Sequence, residues 1–225
     1  MGTKFSTRIW VSVVGIASIF LGSKGYADTV ISVADFGLKP DTRENAVAYV
    51  QKAIEACRGK EPVTLVFPEG RYDFWPQYAH EKNYYETNTY DVFPKRLAML
   101  FEGLHNITVD GNGSQFVMHD RIQPITVENC DGVTLKNFSI DWDIPLTAQA
   151  RVTKVGSDFF EIEINVLESP YIIEDGKLVF VGEGWKSALG SMIEFESDTH
   201  FVVPGTGDLV LGWNWGDYTA VSPRY

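Results

Sequence analysis

Basic side chains are scarce in this sequence. Nineteen lysines and arginines face thirty aspartates and glutamates, a formal charge of −11. Three of the cations, Lys4, Arg8 and Lys24, lie within the first 27 residues, which hold no acid; beyond them sixteen cations against thirty anions leave −14. A chain so acidic offers no phosphate-neutralising stripe and no attraction to an anionic bilayer, which excludes nucleic-acid and membrane-surface partners. Cysteine is nearly absent. Cys57 and Cys130 are too few for a disulfide framework, and one falls in a helical pattern and the other in a strand pattern, so two buried free thiols are expected. The four histidines, His80, His105, His119 and His200, have no metal-ligand spacing. His-Glu-x-x-His, a phosphate-binding loop, a nucleophile elbow and EF-hand spacing are all missing, and Gly111-Asn112-Gly113 reads as a turn rather than a dinucleotide fingerprint. Neither a cofactor nor a metal is implied.

Long apolar runs are missing except for one. Ile9 to Leu21 follows Lys4 and Arg8 and leads to Gly25-Tyr26-Ala27 before Asp28. Thirteen residues are too short for a hydrocarbon core about 30 Å thick, so residues 1–27 read as a cleaved secretory signal. A secreted or periplasmic protein with no membrane contact after cleavage is the expectation.

The mature chain divides by rhythm. Val30 to Phe36 reads as a strand closed by Gly37. Asp41 and Glu44 suggest a capping box ahead of the apolar stripe Ala46, Val47, Val50, Ala53, Ile54 and Cys57, which predicts a helix ending at Arg58-Gly59. Strands follow at Val63 to Phe67, Arg71 to Phe74 and Leu97 to Phe101. From Leu104 the strands become very short and are separated by Asn, Asp and Gly. Asn106-Ile107-Thr108-Val109 recurs 26 residues later as Gly132-Val133-Thr134-Leu135, with Phe116 to Met118, Ile125 to Val127 and Phe138 to Ile140 in the same two-apart apolar pattern. Three short strands per turn repeating after about two dozen residues fit the coil of a parallel β-helix, with the early helix as a lid on its open end. Past Pro145, longer strands joined by tight turns at Gly156-Ser157-Asp158 and Asp175-Gly176 suggest an antiparallel, barrel-like insertion. The expected architecture is therefore all-β: a right-handed parallel β-helix with an N-terminal capping helix over 28–145 and an antiparallel insertion over 146–225. Two coils are fewer than such folds need, so the chain is expected to be cut short at its C-terminus.

Asp141-Trp142-Asp143 forms the sharpest acidic constellation. Residues two apart in a strand share a face at about 6.5 to 7 Å, which touches the lower end of the roughly 6.5 to 9.5 Å carboxyl gap of inverting glycosidases. Asp141 and Asp143 are the candidate acid and base, although strand-terminating aspartates that accept backbone N–H bonds would have the same sequence. Asp120 and Arg121 lie one coil earlier, where Arg121 can clamp a sugar hydroxyl or pair with Asp120. Tyr78, Tyr84, Tyr85 and Tyr90 crowd a long excursion, and with Trp142 they supply rings suited to stacking on sugars. Asp120, Arg121, Trp142, Tyr84 and Tyr85 are the candidate substrate contacts.

These residues carry a resemblance. Val33 to Gly37 and Phe67-Pro68-Glu69-Gly70-Arg71-Tyr72 resemble the N-terminal edge of the pectate-lyase-like right-handed β-helices. Tyr84 to Thr89, Pro94 to Ala98, Ile140 to Gln149, Phe180 to Lys186 and Gly212 to Ala220 resemble the N-terminal portion of the bacterial exo-α-1,3-galactosidases of glycoside hydrolase family 110. The resemblance implies an inverting enzyme that removes terminal α-1,3-linked galactose, as in blood group B or linear α-galactosyl glycans, with catalytic aspartates in later coils beyond Tyr225 and an inactive isolated chain. A glycan with terminal α-galactose is the implied partner, and a homodimer is left open. Two other readings stand beside it. A polysaccharide lyase of the same superfamily would need cations or calcium to receive a polyanion, against a charge of −14. A non-catalytic carbohydrate-binding or adhesion module is the third.

Overall fold

The computed structural model describes residues 29–84, 94–204 and 209–210. Residues 1–27, expected to be a secretory signal, Tyr85, Tyr90 and the motif Gly212 to Ala220 lie outside the described residues.

Apart from one α-helix and a short 3-10 turn, the described chain is built of strands and loops. In order these are β1 (Thr29–Ser32), α1 (Val47–Cys57), β2 (Val63–Val66), β3 (Arg71–Phe74), β4 (His80–Lys82), β5 (Lys95–Glu102), β6 (His105–Met118), β7 (Gln123–Glu128) and β8 (Asp131–Trp142). Seven further strands follow: β9 (Ala150–Val155), β10 (Phe160–Ile164), β11 (Tyr171–Glu174), β12 (Lys177–Gly182), β13 (Trp185–Ala188), β14 (Ser191–Met192) and β15 (Leu209–Val210).

Three parallel ladders organise the first half. β1, β2, the start of β6 and the start of β8 form the first; β3 and the ends of β6 and β8 form the second; β5 and β7 form the third. The 26-residue recurrence is a structural register, because His105 pairs with Asp131, Ile107 with Val133 and Leu97 with Gln123, all in parallel. Like residues therefore stack on like. Val63, Ile107 and Val133 form one column and Leu65, Val109 and Leu135 another, while Thr64, Thr108 and Thr134 fill the opposite face between them. Stacked apolar columns bury what one thin coil could not, and Leu65, Ile107 and Val109 have no exposed surface. Aromatic rings continue the columns, with Phe116 at 4.7 Å from both Phe67 and Phe138.

Gly111-Asn112-Gly113 is the corner between the two halves of β6, where the register shifts between Asp110 and Ser114. Asn112 and Gly113 take left-handed backbone there. A Cβ on Gly111 would stand 2.5 Å from the Phe138 Cβ, so the corner must be glycine for the next rung to lie on it.

The helix starts five residues later than the Asp41 capping box predicts. Asp41 and Arg43 both adopt positive φ, and Asp41 is drawn instead onto strand β3, where its Oδ1 accepts from the Arg71 N–H at 2.9 Å. Asn45 caps in its place, its Oδ1 accepting from the Val47 N–H. A capping box does form, but at Ser32 and Asp35, and it turns the end of the expected first strand into a 3-10 turn over Val33–Phe36. Helix α1 buries Val47, Val50, Ala53, Ile54 and Cys57 against β1, β2 and β5. Cys57 and Cys130 are both free thiols.

Beyond Pro145 the pairing is antiparallel, β9 with β10 and β11–β12–β13 in one meander. The core stays with the parallel ladders; among the described apolar residues past 145 only Leu178 and Val179 are buried.

Candidate functional site

Six ionisable side chains converge where the second ladder ends. Arg71 and Asp73 are two apart on β3, so strand alternation puts them on one face. The guanidinium grips the carboxylate with Nη2 at 2.6 Å and Nε at 3.0 Å from Oδ1. One residue past β6, the buried ring of His119 donates or accepts on both sides, with Nε2 at 2.8 Å from Asp73 Oδ1 and Nδ1 at 2.7 Å from Glu183 Oε2. Asp143, one residue past β8, accepts from Arg71 Nη2 at 2.8 Å. Arg43, held at positive φ, reaches to 3.7 Å of Asp73 and 3.6 Å of Asp143.

The electrostatics are internally balanced. Burial alone would raise the Asp73 pKa, but hydrogen bonds from Arg71 and His119 outweigh it and hold the carboxyl below the usual aspartate range. The Arg71 bond also lowers Asp143, against weaker opposition from burial. His119, Asp143 and Glu183 bring one ligand atom each within 4.8 Å of one another. Both imidazole nitrogens already face carboxylates, and Arg71 and Arg43 already neutralise Asp143, so the positions a metal ion would take are filled by the protein's own groups.

The sequence candidates are distributed unevenly around this cluster. Asp143 is in it. Asp141 is exposed and its Oδ1 accepts from the Trp142 N–H at 2.8 Å, an arrangement that ends a strand. Trp142 is half-buried against the core and donates from Nε1 to the Asp120 carbonyl. Asp120 and Arg121 meet through the Arg121 backbone N–H, which donates to Asp120 Oδ1 at 2.7 Å. The Tyr84 hydroxyl donates to Glu128, which Lys82 also holds at 2.8 Å, and this group belongs to the third ladder. Tyr85 lies outside the described residues.

Sequence reasoning missed Arg43, Arg71, Asp73, Trp75, His119 and Glu183. The alternation Arg71-x-Asp73 was a usable signal, since two opposite charges on one face of a core strand must find partners. Trp75 stacks on His119 with centroids 3.8 Å apart and planes at 10°. Its remaining surface lines a cleft of about 480 Å³ shared with Pro76, Gln77, Tyr78, Arg96 and Asp120. Glu183 arrives from the β12–β13 turn, and the next residue, Gly184, packs so tightly that a Cβ would stand 2.4 Å from Asp120 Oδ2.

Residues 148–223 match the family described as GLAA-B beta-barrel domain I. The chain is 59% identical over 197 residues to alpha-1,3-galactosidase B of Bacteroides thetaiotaomicron, covering 88% of this chain and 32% of that protein. It is a homologue of the α-1,3-galactosidases. Alpha-1,3-galactosidase A of Shewanella woodyi is 36% identical over 169 residues, 74% of this chain and 28% of its own length. Alpha-1,3-galactosidase B of Parabacteroides distasonis is 33% identical over 223 residues, 96% of this chain and 36% of its own. The chain thus spans about a third of the length of the galactosidases it matches.

Proposed function

We propose that this chain is the N-terminal part of an exported, inverting exo-glycosidase that removes terminal α-1,3-linked galactose, and that its parallel ladders are the first coils of a right-handed β-helix. The observation that carries the reading is the 59% identity to an α-1,3-galactosidase over nearly nine-tenths of the chain. The leader with Lys4, Arg8 and the apolar run Ile9 to Leu21 supports export. The three in-register ladders support the coil, and the largely exposed β8, with Leu135 and Ile140 about 40% accessible, offers an edge on which a further coil would stack.

An inverting mechanism needs a carboxylic acid to protonate the glycosidic oxygen and a carboxylate to activate water on the opposite face of the sugar. Asp143, held ionised by Arg71, is unsuited to the acid role at neutral pH. Its chemistry is that of a base or of a fixed charge that organises the sheet ends. The carboxyl that would act as the acid is expected in the later coils, so the isolated 225 residues are inactive in this reading. The lyase alternative fares worse, because Arg43 and Arg71, which could receive a uronate, are already bound to Asp73 and Asp143.

The test is turnover of Gal-α-1,3-Gal by the whole protein and by the 225 residues alone, with the anomer followed by NMR. Release of β-galactose first, by the whole protein only, is the expected result. Release of α-galactose first, or an unsaturated product from a uronate, would overturn the assignment.

A further inference from the structure

Ten residues other than glycine have positive φ among the described residues, and seven of them are Asn or Asp and one is His, the types that tolerate it. The two exceptions are Arg43 and Tyr78. Arg43 is accounted for by its reach to Asp73 and Asp143. Among the described residues Tyr78 makes no comparable interaction through its ring, and the residue is 63% exposed.

Tyr78 occupies the third position of a turn closed by the Ala79 N–H on the Pro76 carbonyl at 3.0 Å, at φ +69, where glycine or asparagine is the favoured residue. The turn is tied down from outside. Asn45 Nδ2 donates to the Gln77 carbonyl at 2.8 Å, Asn45 Oδ1 accepts from the Trp75 N–H at 3.3 Å, and Gln51 Nε2 donates to the Tyr78 carbonyl at 2.8 Å. A strained backbone, fixed by three hydrogen-bonding contacts, thus holds a tyrosine ring in water at the rim of the cleft that Trp75 also lines.

We propose that this cleft is a preorganised binding subsite for a neutral glycan, with Tyr78 and Trp75 as its stacking surfaces. The chemistry of the lining selects the class. Asp120, Glu81 and Gln77 supply acceptors for sugar hydroxyls, while Arg96 is paired with Glu81 at 3.4 Å, leaving a lining with a net charge of −1 that repels uronates and phosphates. The cleft volume falls within the range of small-molecule sites. The His119 ring backs the indole of Trp75, so the charged cluster also fixes one wall of the cleft. The inference takes its probe sugar from the galactosidase reading, but its own footing is the strained, exposed tyrosine.

The experiment titrates Gal-α-1,3-Gal into the 225-residue chain, followed by saturation-transfer NMR and tryptophan fluorescence, with digalacturonate as the charged control. Tyr78→Gly removes the ring while relieving the backbone, so its melting temperature is expected to hold or rise while the sugar binds about tenfold more weakly. Gln77→Ala provides a second variant on the same turn with a smaller loss. Unchanged affinity in Tyr78→Gly, no binding of the neutral sugar by the parent chain, or preference for digalacturonate would overturn the subsite. Turnover by the whole protein reports on the galactosidase reading separately: hydrolysis that persists while Tyr78→Gly binds as the parent does refutes the subsite and spares the enzyme.

Discussion

Asp73 is the keystone of the charged cluster, and replacing it with alanine tests whether that cluster holds the sheet ends together. Its carboxylate has no exposed surface and receives Arg71 at 2.6 Å and His119 at 2.8 Å. Removing one partner of a buried ion pair typically costs about 3 to 5 kcal/mol, because the remaining charge stays desolvated. Here both donors keep a second acceptor, Arg71 on Asp143 at 2.8 Å and His119 on Glu183 at 2.7 Å, which puts the expected loss near the lower end, about 3 kcal/mol. For a chain of this size that lowers the melting temperature by about 6 to 12 °C. Asp143→Ala, at a carboxylate with 38% of its surface in water, should cost only about 0.5 to 1 kcal/mol. Urea titrations followed by circular dichroism would compare the two midpoints. An Asp73→Ala midpoint within about 0.5 kcal/mol of the parent, or equal to that of Asp143→Ala, would refute the reasoning.

Other consequences can be checked directly. Asp73 and Asp143 have folded pKa values below their unfolded ones, so the stability they contribute is complete above the ordinary aspartate value of about 3.9 and is lost as pH falls through the lower folded values. The parent's melting temperature should therefore drop more steeply below about pH 4 than that of an Asp73→Asn, Asp143→Asn double variant, and parallel slopes would contradict this. Gly184→Ala should destabilise by more than Gly176→Ala in thermal melts. Both positions have φ near +75, but only the first would drive a Cβ into Asp120. Burial pushes the Cys57 thiol up to about 11, so its thiolate fraction at pH 8 is about a thousandth, and a disulfide reagent should label at most one thiol in the native chain and two after denaturation.

What the sequence disclosed and what it hid divide along a physical line. Columns of β-branched and aliphatic residues two apart are local patterns, so the Ile107–Val133 recurrence, the β9–β10 hairpin and the turn at Asp175-Gly176 leading into β12 were legible. The helix start was not, because Asp41 had a long-range competitor in the Arg71 backbone, 30 residues away, and no window along the chain contains both. The cluster was hidden for the same reason. His119 meets Asp73 across 46 residues and Glu183 across 64. The Asp141–Asp143 spacing drew attention to the right strand end, but a two-residue period describes a strand only while the strand continues. Strand β8 stops at Trp142, and past that point Asp143 follows its ion pair rather than the pleat.

Glu183 is the point at which the two halves of the chain depend on each other. The antiparallel segment past 145 buries little of its own apolar surface, with Leu167 at 86% and Phe201 at 74% exposure, so its placement on the ladders needs specific contacts rather than a broad hydrophobic seam. The β12–β13 turn supplies them within two residues: Glu183 bonds His119, and Gly184 lets the backbone close on Asp120. His119 in turn lies flat against Trp75. A Glu183→Gln variant, which keeps one hydrogen bond to the ring but removes the charge, should therefore perturb the near-ultraviolet signal of Trp75 and loosen the meander to proteolysis while far-ultraviolet dichroism stays the same. If the meander were held by packing alone, cleavage between β10 and β13 would proceed at the parent rate.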